Sequence, residues 1–342
     1  MPHKISKTPI NPVAEPHVDA LPVASSPRSA TIKSGLHPRN KHRERYRFDE
    51  LIATSPALKK FVRLNAYQDA SIDFADPRAV KALNQALLQH FYAILGWDIP
   101  PEYLCPPIPG RADHIHYLSD LPGIRHIAGK ATRKPVRVLD IGVGANAIYP
   151  LIGFREYGWH FVGTDIDETA LANAQQILKA NRGLTSCIEL RLQNSASAVF
   201  NGVVRAHESF DLTMCNPPFH QSFREAQAAT QRKLKGLSKN TGKELRYDEW
   251  QTATHNFGGH AHELYCDGGE VAFIERMVAE SRRFATQCLW FTTLVSQAAH
   301  LPDVYRALQK VEALRVETID MSQGQKKGRI VAWTFRQLSI DR

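Results

Sequence analysis

The sequence predicts an α/β fold: a doubly wound sheet with helices on both faces, preceded by an N-terminal helical and basic module. Three observations predict it. From residue 134 onward, short apolar runs of strand length alternate with runs of helical periodicity, the pattern of strand-helix-strand units. The first of these strands leads into a glycine-containing turn at 142–146, and the second ends in an acid at Asp165. The residues of chemical interest fall just after predicted strands, where sheets of this kind bind ligands.

Residues 1–34 are rich in Pro, Ser, Ala and Thr without apolar periodicity, and are expected to be a disordered tail. Residues 35–133 form the helical, basic module. It opens on HPRNKHRERYR at 37–47, resumes helical apolar spacing over 48–62, and carries a strong amphipathic helix at 79–95. A proline-rich link at 97–111 reads as a strap across a surface, too stiff for a helix interior.

Within 134–342 the predicted strands are 136–141, 159–165, 187–192, 210–215, 287–294 and 330–335. Helices are predicted at 147–157, 168–181, 269–283 and 303–310, with a long basic loop at 222–250.

Charge is unevenly placed. The chain carries a formal +9, and residues 1–47 hold nine basic against three acidic side chains, so +6 lies there. A basic arm of this kind suits an anionic partner, with a solubilising tail as the bland alternative. Three basic places are candidates for RNA contact. They are the arm with Arg43, Arg45 and Arg47; the loop with Arg232, Lys233, Lys235, Lys239 and Lys243; and a turn with Lys326, Lys327 and Arg329.

No apolar run approaches the roughly 18 residues of a membrane span, and the N-terminus lacks a signal-peptide pattern, so a cytoplasmic protein is expected. Cys105, Cys187, Cys215, Cys266 and Cys288 are widely spaced and read as reduced thiols, not a disulfide or zinc framework. His255, His260 and His262 lack supporting ligands, so no metal is expected.

The turn Asp140-Ile141-Gly142-Val143-Gly144-Ala145-Asn146 lets a backbone approach a ligand closely and opens a helix with free N–H groups. It lacks the third glycine of the dinucleotide fingerprint, where Ala147 stands. Asp165 lies 21 residues beyond Gly144, near the roughly 20 expected of an acid that accepts hydrogen bonds from a ribose diol. Asp167 is its competitor.

Directly after strand 210–215 comes Asn216-Pro217-Pro218-Phe219. Two prolines fix two φ angles and remove two donors, so the Asn216 and Pro217 carbonyls are held in a rigid turn. An exocyclic purine amine is a poor nucleophile because its lone pair is delocalised. The Asn216 side-chain oxygen and the Pro217 carbonyl can each accept one amine hydrogen, localising the lone pair without a general base. Phe219 would supply a stacking face. This chemistry points to N6 methylation of adenine. A small structured RNA, DNA or a protein glutamine amide are alternative acceptors, and a non-enzymatic RNA assembly factor is the remaining alternative.

Beyond these motifs the sequence resembles the bacterial 23S ribosomal RNA adenine(1618)-N6-methyltransferase family, related to the eukaryotic small nuclear RNA adenine N6-methyltransferase. The resemblance spans about residues 35–337. It rests on LHPRN (36–40), SIDFADPRAVKALNQALLQHFY (71–92), WDIPPEYLCPPIPGRADHIHYL (97–118), VLDIGVGANAIYPLIG (138–153), CNPPFH (215–220), NFGGHAHELYCDGGEVAFI (256–274) and WFTTLVS (290–296). It implies a class I Rossmann-like, S-adenosylmethionine-dependent methyltransferase sheet, acting as a monomer on 23S ribosomal RNA or a large-subunit precursor. It implies that Asp140, Gly142, Gly144 and Asn146 line the methionine and ribose side and that Asp165 takes the ribose. It further implies that Arg111 reaches the cofactor carboxylate, that Asn194 or Ser195 meets the adenine, and that Asn40 belongs to a lid over the target base.

Overall fold

A computed structural model of the chain describes residues 35–101, 103–124, 134–220, 225, 266–323 and 326–337. The expected tail, the five loop cations from Arg232 to Lys243, and His255, His260 and His262 lie outside the described residues. The elements run α1 (Phe48–Thr54), a 3-10 turn (Pro56–Phe61), β1 (Val62–Leu64), β2 (Ala70–Ile72), α2 (Pro77–Tyr92) and α3 (Ile108–Ser119). They continue with β3 (Arg137–Ile141), α4 (Ile148–Tyr157), β4 (His160–Asp165), α5 (Glu168–Ala180), β5 (Ile188–Leu192) and β6 (Phe210–Cys215). The chain closes with α6 (Gly269–Ser281), β7 (Cys288–Val295), α7 (Leu301–Lys310), β8 (Arg315–Gln323) and β9 (Lys326–Thr334).

Seven strands form one sheet in the order β5-β4-β3-β6-β7-β9-β8. The first five run parallel, and β9 is antiparallel to both β7 and β8. The order in which strands are added reverses at β3, whose neighbours are β4 and β6, so the switch point lies there. Strand residues alternate between two cores, as the two-residue period of a strand requires. Val138, Leu212, Trp290 and Ile330 join the core under α2 to α5, while Leu139, Cys215, Phe291 and Val331 join the core under α6 and α7.

Register decides where the site lies. Ile141 pairs with Thr164 on one side and with Cys215 on the other. The next residue of each strand, Gly142, Asp165 and Asn216, therefore forms one row across three adjacent strand ends.

Several expectations are corrected. The helix expected over 48–62 stops at Thr54, because Pro56 disfavours helical backbone at Ser55, and a 3-10 turn and β1 follow. The strap at 97–111 is not extended throughout. Its last residues are the first turn of α3, where Pro109 is tolerated because the first helical N–H groups have no intrahelical partner. Lys326, Lys327 and Arg329 stand in β9, not in a turn, and pair with β8, a strand that alternation did not reveal because it is an edge strand with little buried surface.

Residues 35–47 are no free arm. Leu36, His37, Asn40 and His42 are buried, and the Ser322 hydroxyl donates to the Gly35 carbonyl at 3.1 Å. One hydrophobic cluster runs from Phe48 through α2 and α3 into β3, α4 and β9, so the N-terminal module and the sheet share a core.

The closest approach in that core is at Gly153 of α4, where a Cβ would lie 2.5 Å from Phe161 Cζ. Phe161 is itself buried and cannot swing away. Gly153→Ala should therefore lower stability by about 1–3 kcal/mol through overpacking, read by urea unfolding. An unchanged midpoint would show that β4 and α4 separate easily.

Candidate functional site

A cleft of about 540 Å³ opens over the row formed by Gly142, Asp165 and Asn216, all of which line it. Its floor is the turn after β3. Gly142 and Gly144 both have left-handed φ, at +75° and +65°, and no atom lies within 4 Å of where a Gly142 Cβ would stand. At its two glycines the turn therefore presents bare backbone.

Asp165 is tied to that turn, since its Oδ2 accepts the Gly144 N–H at 2.8 Å and its Oδ1 accepts the Asp167 N–H at 3.1 Å. Burial pushes the Asp165 carboxyl up, and these backbone N–H groups oppose the shift. Asp167 lines the cleft but is spent elsewhere. Its Oδ1 caps α5 through Thr169 and Ala170, and its Oδ2 accepts the Tyr103 hydroxyl at 2.6 Å. Asn146 lines the cleft while its Oδ1 caps α4, and its carbonyl accepts the buried Trp97 Nε1–H at 3.0 Å. The N-terminal module thus holds the turn from outside the sheet.

Arg111, on the first turn of α3, reaches into the cleft and donates to the Tyr149 hydroxyl at 2.5 Å, while its Nε has no hydrogen-bond partner. Asp140 does not line the cleft. It is 1% exposed beneath it, and neither carboxylate oxygen has a partner. Burial is the main reason its carboxyl is pushed up to about 8, with Asp165 adding to the shift and Arg111 opposing it.

At the third strand end, Asn216 and Pro218 line the cleft, whereas buried Pro217 and half-buried Phe219 do not. The Asn216 Oδ1 is buried and accepts no hydrogen bond. A carbonyl oxygen left in this way costs about 1–3 kcal/mol, so its proper partner is a donor brought by a ligand.

The wall after β5 is made by Gln193 and Ala196 to Val199, not by Asn194 and Ser195. Asn194 is exposed, and the Ser195 hydroxyl lies 2.9 Å from that of Ser197. Glu280 of α6 holds this wall by accepting the N–H groups of Val199, Phe200 and Asn201. Phe273 and Arg276, on the same helix, face the cleft. Sequence reasoning missed Gln193, Tyr149, Phe273 and Arg276. Helical periodicity places the last two on one face of α6 but does not say what that face meets.

Asn40 is not available to a lid. Its Nδ2 donates to the Pro109 carbonyl at 2.9 Å and to Asp113 at 2.7 Å, and its Oδ1 accepts the His42 N–H. The basic residues on either side of it have acidic neighbours: Arg39 with Asp120, Lys41 with Glu156, Arg45 with Asp69, and Arg47 with Asp49 and Glu50. Arg43 reaches the Pro38 carbonyl at 3.4 Å. Arg329 stands 3.3 Å from Asp320. The cysteines are free thiols, and the described residues contain no gathering of three metal-type side chains. No helix among them is long and apolar enough to cross a membrane.

The strand order with its reversed β9, and a cleft at the switch point floored by a glycine turn, define the class. It is that of the class I S-adenosylmethionine-dependent methyltransferases. A family described as RNA methyltransferase matches residues 30–337. The ribosomal RNA large subunit methyltransferase F of Methylobacillus flagellatus is 58% identical over 91% of this chain and 94% of its own length. Its namesake from Pectobacterium carotovorum is 53% identical over 90% and 95%. Among solved structures, the human METTL16 catalytic domain in complex with MAT2A 3'UTR hairpin 6 superposes with a TM-score of 0.71 at 27% identity, covering 89% of this chain and 98% of that one. The N-terminal domain of human METTL16 in complex with SAH gives 0.69 at 25% identity, over 88% and 99%. The chain belongs to the RNA methyltransferase family.

Its residues fit the cofactor of that class. A glycine turn, an acid at the second strand end, and an arginine with an unsatisfied Nε border one cleft, and the buried, unpartnered Asp140 carboxyl lies beneath it.

The raised Asp140 carboxyl makes stability depend on pH. The folded chain holds a proton up to about pH 8 that an unfolded aspartic acid releases near pH 4. This contribution to stability is complete below about pH 4 and is lost as pH rises toward 8. Asp140→Asn should flatten that decline by on the order of 1–3 kcal/mol in cofactor-free protein, measured by urea unfolding across pH 5 to 8. Parallel curves for the two proteins would mean that Asp140 ionises freely in the fold.

Proposed function

We propose that this chain methylates the exocyclic N6 amine of an adenine in 23S ribosomal RNA. One observation carries the reading: the buried Asn216 Oδ1 has no hydrogen-bond partner, in a Pro-Pro turn at the rim of the methyltransferase cleft. An acceptor fixed there suits a substrate that brings a hydrogen-bond donor, and an exocyclic amine brings two. The relatives named for ribosomal RNA large subunit methylation support the RNA class.

S-adenosylmethionine, when bound, supplies a methyl group on a positively charged sulfur. Arg111 offers a guanidinium for its carboxylate, the 142–144 backbone gives close approach, and Asp165 offers acceptor capacity to its ribose hydroxyls. The Asn216 Oδ1 and the Pro217 carbonyl take the two amine hydrogens, which turns the nitrogen lone pair toward the cleft interior and stabilises positive charge developing on that nitrogen. Phe219 is the candidate stacking face for the base. No side chain need remove a proton before transfer, because the methylated amine is acidic enough to lose it to water afterwards.

Adenine N6 is engaged in pairing inside a helix, so the target enters single-stranded or extruded. Arg43, Arg45, Arg47, Lys326, Lys327 and Arg329, with the loop cations Arg232, Lys233, Lys235, Lys239 and Lys243, are the proposed phosphate contacts. Those at Arg45 and Arg47 must exchange an internal acidic neighbour for phosphate, which weak exposed ion pairs permit; the more covered Arg329 must also turn away from Asp320.

Asn216→Ala should nearly abolish transfer to 23S RNA from cells lacking the gene, with S-adenosylhomocysteine affinity kept within a few-fold. Wild-type turnover would remove Asn216 from the reaction. Mapping N6-methyladenosine in the product RNA then checks the acceptor. By calorimetry, Asp165→Ala should instead weaken S-adenosylhomocysteine binding by about 1.5–3 kcal/mol, and unchanged binding would move the ribose contact to another group.

A further inference from the structure

Outside the cleft, one small element is built in a way the fold does not require. The strands β1 and β2 form an isolated two-stranded hairpin ahead of α2, separate from the seven-stranded sheet. Its tip is rigid. Asn65 and Asp69 close it through a 2.9 Å backbone hydrogen bond, and the Asn65 Oδ1 accepts the N–H groups of Tyr67 at 2.8 Å and Asp69 at 3.0 Å. Gln68 is held at a left-handed φ of +61°.

This fixed tip points an aromatic ring at water. Tyr67 is 75% exposed, and Phe74, just beyond β2, is 51% exposed. They are the two aromatic residues among the exposed large hydrophobics of the described chain. A single exposed apolar residue needs no explanation. Two exposed rings stand within eight residues, and the one at the tip is preorganised by three hydrogen bonds.

Cations stand at both ends of the hairpin. Arg45 pairs with Asp69 at the tip and Arg63 with Asp73 at the base. Lys59 and Lys60, just before β1, are exposed and form no ion pair within the described residues. Aromatic faces interleaved with cations are the surface chemistry of single-stranded nucleic acid, whose bases stack while its phosphates are neutralised. A protein partner would favour a larger apolar patch with fewer lysines.

The hairpin is linked to the cleft through α2. From Pro77, where α2 begins just after Phe74, to Asn84 is seven residues, about 10 Å of helix rise. Asn84 donates to the Pro106 carbonyl at 2.7 Å, and Pro106 lines the cleft. A strand leaving the cleft past Pro106 reaches the hairpin within a few nucleotides.

We propose that the β1–β2 hairpin is a stacking platform for single-stranded RNA flanking the target adenine, with Tyr67 and Phe74 as the faces on which bases rest. Lys59 and Lys60 hold the adjoining phosphates. The inference rests on RNA as the substrate, but not on which adenine is methylated.

The test is equilibrium binding of a fluorescein-labelled, unstructured oligoribonucleotide to the full chain without cofactor, across a salt series. Tyr67→Ala should weaken binding at least about five-fold, the effect of losing roughly 1 kcal/mol of base stacking, and Tyr67→Phe should restore it. The salt slope should be unchanged in Tyr67→Ala, because no phosphate contact is removed, and should fall by about 0.7 for each of Lys59→Gln and Lys60→Gln. S-adenosylhomocysteine affinity and the unfolding midpoint should stay at wild-type values. The proposal is overturned if the Tyr67→Ala, Phe74→Ala double variant binds the oligonucleotide within two-fold of wild type. It is equally overturned if the double variant methylates naked 23S RNA normally but a ribosomal precursor particle poorly, since the surface would then meet a protein. Loss of S-adenosylhomocysteine binding by the unmutated chain would sink the methyltransferase reading instead, and leaves the oligonucleotide result readable.

Discussion

The parallel register of β3, β4 and β6 is the constraint from which the rest of the site follows. Because Ile141 stands opposite both Thr164 and Cys215, a backbone turn, a carboxylate and an amide side chain emerge abreast at the switch point. A slip of one residue in either pairing would send the following side chain to the other face of the sheet. The alternation of core residues on both faces opposes such a slip, since it would bring buried apolar side chains out of their cluster. Packing remote from the cleft thus sets the geometry at its floor.

The cleft region keeps polar groups that the chain itself does not satisfy. Arg111 Nε, both oxygens of Asp140 and the Asn216 Oδ1 are buried without partners, and they lie along or beneath one cavity. Each such group destabilises the cofactor-free fold. Arg111 and Asn216 line the cleft, so a ligand there can supply the partners that the chain does not. Asp165 is different, because the turn already occupies both its oxygens in part, and this fixes its direction before any ligand arrives.

Charge counting overstated the freedom of the N-terminal segment. Four of its five cations between residues 35 and 47 are met by acids of the chain itself, and its histidines and Asn40 are interior groups that fasten it to α2 and α3. A basic run and a docked strap have the same composition. What separates them is whether acids from distant parts of the sequence are brought within reach, as Asp120 and Glu156 are here.

Local chemistry was legible in the chain. The strand-helix alternation, the glycine turn, Asp165 and the Asn-Pro-Pro-Phe turn are each written within a few consecutive residues, since periodicity and the conformational habits of glycine and proline act over that range. Strand β6 falls at its expected ends for that reason, β3, β4, β5 and β7 differ by a residue, and β9 begins four residues before its expected start at 330. The edge strand β8, the hairpin β1–β2 and the helical start at Ile108 were not legible, because their residues are half-exposed or carry prolines that fit more than one local structure. Spacing favours Asp165 over Asp167, but that Tyr103 and the start of α5 engage Asp167 is visible only in the fold. Identity and order of the reactive groups are properties of sequence. Their facing one another, and which of them remain unpaired, came only from contacts between residues tens to hundreds of positions apart, which no local pattern encodes.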